Sequence, residues 1–348
     1  MSSTRNDSTR EDVFTTVVYS PPGYQWHCVV QERIVWHRYH LDEDHQVFER
    51  NRHMFSLRVW IFPLLLSALS VRSASAAETL PTEAPLLVLP FTMSQAKSGQ
   101  EAWAKSLAKP VLEKNALGME LVLIPPGQFT MGSPPTENDR DDNEAQVPVT
   151  LTKAFWLSTT EVTQSQWTQV MGTTPWRGKD YVTEGPDYAA SYVSWNEAQE
   201  FIRKLSVREG VTYRLPTEAE WEWSCRAGTS SSWNFGEQDH LAKFGWYGGA
   251  NGGSVELEQY AHPVGQKPAN PFGLYDMHGN VWEWCEDVLI AKLPGAINPQ
   301  VRTGTPYRVL RGGSWSSEIP NEARSANRSG FTPDSRFNDT GVRVSRTP

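Results

Sequence analysis

Two stretches of this 348-residue chain hold side chains whose types and spacing could do chemistry. The first, "GLYDMHGNVWEW" over residues 273–284, sets the carboxylates of Asp276 and Glu283 seven positions apart, with Gly279 and Asn280 between them. Glycine allows a tight turn that aims backbone carbonyls inward. Two carboxylates plus turn carbonyls make a hard-oxygen shell, which suits Ca²⁺ better than zinc or copper. A plainer arrangement uses the same residues: Asp276 caps the turn and Glu283 pairs with an arginine. Spacing alone does not choose between them.

The second stretch, "RVLRGGSWSSEIPNEARSANR" over residues 308–328, makes a Gly-Gly turn and then presents Trp315 beside two serines. Aromatic and guanidinium groups supply stacking and bidentate hydrogen bonds. A ligand groove lined by Trp315, Ser316, Ser317, Arg324, Asn327 and Arg328 is the expectation. The competing uses are core packing for Trp315 and pairing of the arginines with acids such as Asp334 and Asp339. The stretch has no Cys and no His, and its acids are Glu318 and Glu322. General acid–base chemistry could draw on Glu318, Glu322 or His278, although nothing in the spacing fixes their geometry. Cys225 and Cys285 could close a disulfide in an oxidising compartment. Large aromatics beside both favour burial over reactivity.

The elements that must position these groups are short. Thr160 is placed to cap a helix over "EVTQSQWTQVMG", with Val162, Trp167 and Val170 buried. Ser194 with Glu197, and Thr217 with Glu220, have capping-box spacing, and Gly210 and Gly228 are the stops. Strand patterns cover 121–124 and 128–131 around a Pro-Pro-Gly turn, and "VPVTLTKAFWLSTTEVT" alternates like one half-buried strand. The acidic loop "PPTENDRDDNEAQ" between them is expected to be solvated. Of 15 Trp, 11 fall between Trp156 and Trp315, which points to an aromatic-stitched core or an aromatic groove. With frequent Gly and Pro, this predicts an α+β domain with one core and little regular secondary structure. The net charge of −8 and the lack of a basic run argue against nucleic acid as a partner.

Residues 54–76, "MFSLRVWIFPLLLSALSVRSASA", follow the order of a secretory signal: Met54, Arg58, an apolar run over 59–71, and a closing Ala-Ser-Ala. That run is shorter than the roughly 20 residues that span a bilayer, so no stable membrane span is expected after cleavage. The protein is expected to be exported, to the periplasm or outside the cell. Residues 1–53 hold five of the eight His and are expected to be a non-native upstream extension or disordered, with translation starting at Met54. Residues 77–117 are expected to be a linker, with a short helical pattern near 100–108, and residues 118–348 the folded domain.

Taken in order, "GMELVLIPPGQFTMGS", "TTEVTQSQW", "VSWNEAQEF", "YRLPTEAEWEWSCRAGT", "NPFGLYDMHGNVWEWCED", "RVLRGGSW" and "ANRSGFTPD…TGVRV" resemble the sulfatase-modifying-factor family, which includes the formylglycine-generating enzyme. The resemblance spans residues 118–344. It implies a C-type-lectin-like fold, often stiffened by calcium. It also implies a calcium site made of the Asp276 and Glu283 side chains with the Gly279 and Val281 backbone oxygens. The enzyme oxidises a sulfatase Cys to formylglycine with a copper ion held by two Cys, two and seven positions past the aromatic of the "GGS-aromatic" motif. Here those positions are Ser317 and, at or near it, Glu322, so copper is not expected. Iron held by His from a preceding helical domain, as in related sulfoxide synthases, is not expected either. After the signal only His240, His262 and His278 remain. The implied function is a calcium-stabilised binding or accessory module for a peptide, protein or glycan. The alternative is an oxidase acting on a protein or small molecule through unrecognised ligands.

Overall fold

The computed structural model describes residues 84–236, 240–248, 260–317 and 320–348, together with the backbone of four strands nearer the N-terminus. Those strands, Thr16–Tyr19, Gln25–Gln31, Arg33–Leu41 and Val47–Glu49, pair as an antiparallel meander within a unit of residues 1–76. The signal-like segment 54–76 lies outside the described residues.

The second unit, residues 77–348, is a mixed α+β domain of short strands and short helices. Its largest sheet has five strands in the order Tyr213–Arg214, Ser345–Arg346, Phe155–Ser158, Glu120–Ile124 and Leu112–Lys114. The C-terminal strand thus sits between two strands from much earlier in the chain. A second sheet orders Ser329–Phe331, Arg308–Arg311, Trp282–Val288 and Thr340–Gly341, and this one carries the candidate site. A third pairs Leu87–Val88, Gly127–Met131 and Val147–Leu151. The alternating stretch after residue 146 is therefore two strands in two sheets, broken at 152–154.

Local sequence explains where the helices begin. Trp195–Glu209 starts at Ser194 and Glu218–Arg226 at Thr217, each with a complete capping box. The helix Gln164–Met171 starts at Thr163 rather than Thr160. Gln166, three positions on, bonds back to the Thr163 N–H at 3.0 Å, whereas Thr160 has no such partner in the helix. Gly210 ends its helix in the left-handed region, while Ala227 takes that role one residue before Gly228.

The segment expected as a linker is folded from residue 84 onward. Thr92 and Gln95 form a capping box that opens a helix over Met93–Ser106, and Ala96, Gln100, Trp103 and Ala104 are its buried residues. The Gln100 amide donates to the carbonyls of Leu123 and Phe272, each at 3.0 Å, and fastens this helix to the domain. A buried stripe of two alanines, a glutamine and one tryptophan gives a weak hydropathy signal at its N-terminal half.

Indole rings run through the core, and some tie their N–H groups to backbone. Trp284 donates to Val193 O at 2.8 Å and Trp223 to Pro125 O at 2.9 Å. Trp167 stacks on Phe201 with ring centroids 5.2 Å apart. Burying each such side chain contributes on the order of 2–3 kcal/mol, and bonding its N–H avoids an unpaired buried donor.

Candidate functional site

The "GGS-aromatic" turn is built on two left-handed glycines, Gly312 (φ 100°) and Gly313 (φ 71°). A Cβ on Gly313 would stand 2.9 Å from the Glu322 carbonyl oxygen, so glycine lets the short 3₁₀ turn Pro320–Ala323 lie against it. Past the turn, the Ser314 and Ser316 hydroxyls both donate to one oxygen of Asp339, at 2.9 and 2.7 Å. Asp339 in turn accepts the Trp282 N–H on its backbone carbonyl at 2.8 Å. These contacts frame a cavity of about 480 Å³ lined by Trp282, Ser316, Glu322, Ser329, Phe331, Phe337, Asp339 and Thr340.

Of the six residues expected to line a groove, only Ser316 lines this cavity. Trp315 is buried against Ala189, Ala261 and Val281. Ser317 is buried and its hydroxyl accepts the Ser314 N–H at 3.0 Å, which staples the turn. Arg324 is buried and bonds Glu137 at 2.7 Å and Glu144 through both of its carboxylate oxygens at 2.8 Å. Arg328 bonds Glu218, at 2.6 and 2.9 Å. The Asn327 carbonyl accepts from Arg311. The arginines do pair with acids, but with acids far away in sequence rather than Asp334 or Asp339. Part of the acidic loop is accordingly interior: Glu144 is fully buried, and despite burial Arg324 holds its carboxyl below the usual range. Glu318 lies outside the described residues. Trp282, Phe331, Phe337 and Asp339 escaped the sequence reading, because only the sheet brings 282 and 329–340 together.

At the 273–284 turn, Asp276 and Asn280 adopt left-handed backbone (φ 58° and 65°). Gly279 (φ 116°) passes so close to Trp246 that a Cβ would overlap the Trp246 carbonyl. Asp276 accepts the Gly265 N–H at 2.6 Å, which ties the turn to a neighbouring loop. Glu283 accepts from Arg343 on both oxygens at 2.7–3.0 Å and from the Trp221 indole at 2.7 Å. Its lone pairs are committed, so Glu283 does not fit the expected calcium shell. Glu161, missed by the sequence reading, takes its place beside Asp276. Its Oε1 accepts from Asn280 at 3.0 Å, while Glu161 Oε2 and Asp276 Oδ1 are both buried with no hydrogen-bond partner. Burial and then Asp276 push Glu161 well above the usual carboxylate range, and burial pushes Asp276 up to about 6. Orphaned buried oxygens are the donor type a hard cation takes. The turn thus fits such an ion through Asp276 and Glu161, with the Gly279 and Val281 carbonyls as the backbone candidates.

Cys225 and Cys285 are free and buried, and the disulfide considered for them does not form. Burial pushes the Cys225 thiol up to about 12 and Cys285 well above its usual value, so neither is a thiolate at neutral pH. His278 donates from Nδ1 to the Ala323 carbonyl at 2.7 Å, and its Nε2 accepts the Asn234 N–H at 3.3 Å. Burial drops its pKa to about 4. It is a neutral tie holding the turn that carries Glu322, not an acid–base group open to substrate.

Residues 108–348 match the family model described as "Sulfatase-modifying factor enzyme 1-like domain". A "Chaperone protein LppX" of Paenibacillus barcinonensis is 28% identical over 66% of this chain and 89% of its own length. The formylglycine-generating enzyme of Mus musculus is 27% identical over 81% of this chain and 92% of its own. The solved structure of PvdO from Pseudomonas aeruginosa superposes with a TM-score of 0.62 at 31% identity, covering 69% of this chain and 99% of that one. The fold expected from sequence, with few helices and much irregular chain, is the fold of this relative.

Proposed function

We propose, on the premise that this chain belongs to the sulfatase-modifying-factor family, that it is an exported binding or accessory module for a peptide, protein or glycan and does not generate formylglycine through copper. One observation carries the reading. Where the family's copper thiolates are expected stand a buried serine whose hydroxyl is used to staple its own turn, Ser317, and a carboxylate, Glu322. Cu(I) is selected by soft sulfur. A serine alkoxide is far too basic to form at neutral pH, and a carboxylate is a hard ligand. The two cysteine sulfurs of the domain are buried neutral thiols away from the cavity lining. The chaperone name of one relative is in keeping with an accessory role.

Co-expression with a peptide carrying the Cys-type sulfatase sequence tests this. Mass spectrometry is expected to find the Cys unchanged, and metal analysis to find no stoichiometric copper or iron. Aldehyde formation, or a tightly held copper or iron, would replace this reading with that of an oxidase.

Calcium stabilisation belongs to the same proposal and is supported by the orphaned oxygens of Glu161 and Asp276. Calcium at about 100 times its dissociation constant would add ~2.7 kcal/mol of stability, or roughly 5–10 °C in melting temperature for a domain of this size. Equal melting in calcium and in chelator would remove this part. Among the described residues no helix is long and apolar enough to cross a membrane. Export itself is supported by the pattern at 54–76, and N-terminal mapping of the native protein, with Ala77 expected first, checks it.

A further inference from the structure

The wall of the 480 Å³ cavity has a one-sided charge. It contains two carboxylates, Glu322 and Asp339, three hydroxyls, Ser316, Ser329 and Thr340, and three aromatic rings, Trp282, Phe331 and Phe337. Among the described residues that line it there is no Lys, Arg or His. The guanidiniums nearest in sequence are engaged elsewhere: Arg324 with Glu137 and Glu144, Arg328 with Glu218, and Arg336 with Glu197 at 2.8 Å. Glu322 is half-buried and makes no hydrogen bond or ion pair with the described residues. Asp339 is bonded only by neutral hydroxyls, those of Ser314, Ser316 and Thr340. Phe331 and Phe337 pack with ring centroids 4.5 Å apart and supply an apolar part of the lining.

We propose that this cavity is a recognition site for an alkylammonium group, a positively charged nitrogen on a short apolar stem. Aromatic faces and carboxylates together attract an organic cation, while rings alone would take any apolar group. A compact ammonium with three rotatable donors suits this wall better than a guanidinium. A guanidinium needs two free oxygens in one plane, which Glu322 offers but Asp339 does not, since one Asp339 oxygen already holds two serines; an ammonium can use both acids. The volume is within the range of small-ligand pockets and admits a four-carbon stem. The group could be a lysine side chain of a peptide or a free amine. The site rests on the binding-module reading and supplies its ligand chemistry.

The test is a calorimetric titration of the full chain with n-butylammonium and with the peptide Ac-Gly-Lys-Gly-NH₂. Each is compared with its neutral counterpart, n-butanol and the norleucine peptide. Binding of both cations with millimolar or tighter dissociation constants is expected, with the neutral counterparts at least about tenfold weaker. Glu322→Gln, which removes a charge that bonds nothing in the fold, should weaken the cations about tenfold and keep the melting temperature. Phe331→Leu should weaken them about threefold. A lysine peptide much tighter than the free amine identifies a peptide partner, and equal affinities identify a small amine. Neutral analogues that bind as well as the cations, no cation binding up to about 50 mM, or a Glu322→Gln protein that binds unchanged would each overturn the proposal. The two readings fail separately: aldehyde formation on a sulfatase peptide removes the module without touching this titration.

Discussion

Within the 33 residues from Arg311 to Arg343, charges are used in two opposite ways. On the inner side, Arg311, Arg324, Arg328 and Arg343 are buried and each meets a carboxylate supplied from elsewhere: Glu222, Glu144, Glu218 and Glu283. Arg226 adds a second bond to Glu222 at 2.8 Å. On the cavity side, Glu322 and Asp339 face open space with no guanidinium against them. The comparison separates a lattice that holds strands and loops together from a surface whose charge is left for something else. Buried ion pairs add little over a well-packed apolar replacement, but removing one partner strands the other charge.

If that division is right, mutations should divide the same way. Arg311→Met leaves Glu222 with Arg226 alone and takes one of the two guanidiniums from Glu218; a loss of about 3–5 kcal/mol in denaturant unfolding is expected. A loss under about 1 kcal/mol would erase the distinction between the two sides. His278→Gln probes the tie between them. The His278 pKa is depressed from 6.5 to about 4, so its stability is present above about 6.5 and is lost as pH falls toward 4. Wild type minus variant should therefore shrink by on the order of 3 kcal/mol across that window. Taking the difference cancels Asp287, raised by burial to about 7, whose contribution is lost in the other direction, as pH rises toward 7. Arg324→Ala, which unties the acidic loop at Glu137 and Glu144, should cost about 2 kcal/mol. Smallest of all, Glu322→Gln should change stability by no more than about 0.5 kcal/mol while altering ligand affinity. Native protein should also leave Cys225 and Cys285 unlabelled by a thiol reagent, with each reacting after unfolding.

Sequence conveyed the fold better than the site, for physical reasons. Capping boxes at Ser194 and Thr217 are local patterns, and the aromatic density predicted the stitched core. Only the second half of the helix Met93–Ser106 was legible, as the pattern near 100–108, because the first half buries little more than Ala96. For the arginines at 324 and 328, pairing with acids was legible as an alternative but the partners were not, since these lie 180 and 110 residues away rather than at Asp334 or Asp339. Asp339 and Phe337 were invisible as lining residues for the same reason: a parallel pairing of Thr340–Gly341 with Trp282–Glu283 brings them to the cavity. Asp276 was placed correctly in its turn, whereas Glu283 proved to belong to Arg343 and Glu161 to be the neighbour that matters.

Gln100 sits eight residues upstream of where the family match begins, yet it supplies donors to two backbone carbonyls deep in the domain. The evolutionary border and the mechanical border of this domain are therefore different lines. A polypeptide cut at residue 108 would keep every motif of the family and still leave Leu123 and Phe272 with unanswered oxygens beside an uncovered apolar scar. Such a fragment should aggregate, while one that begins before Thr92 should not.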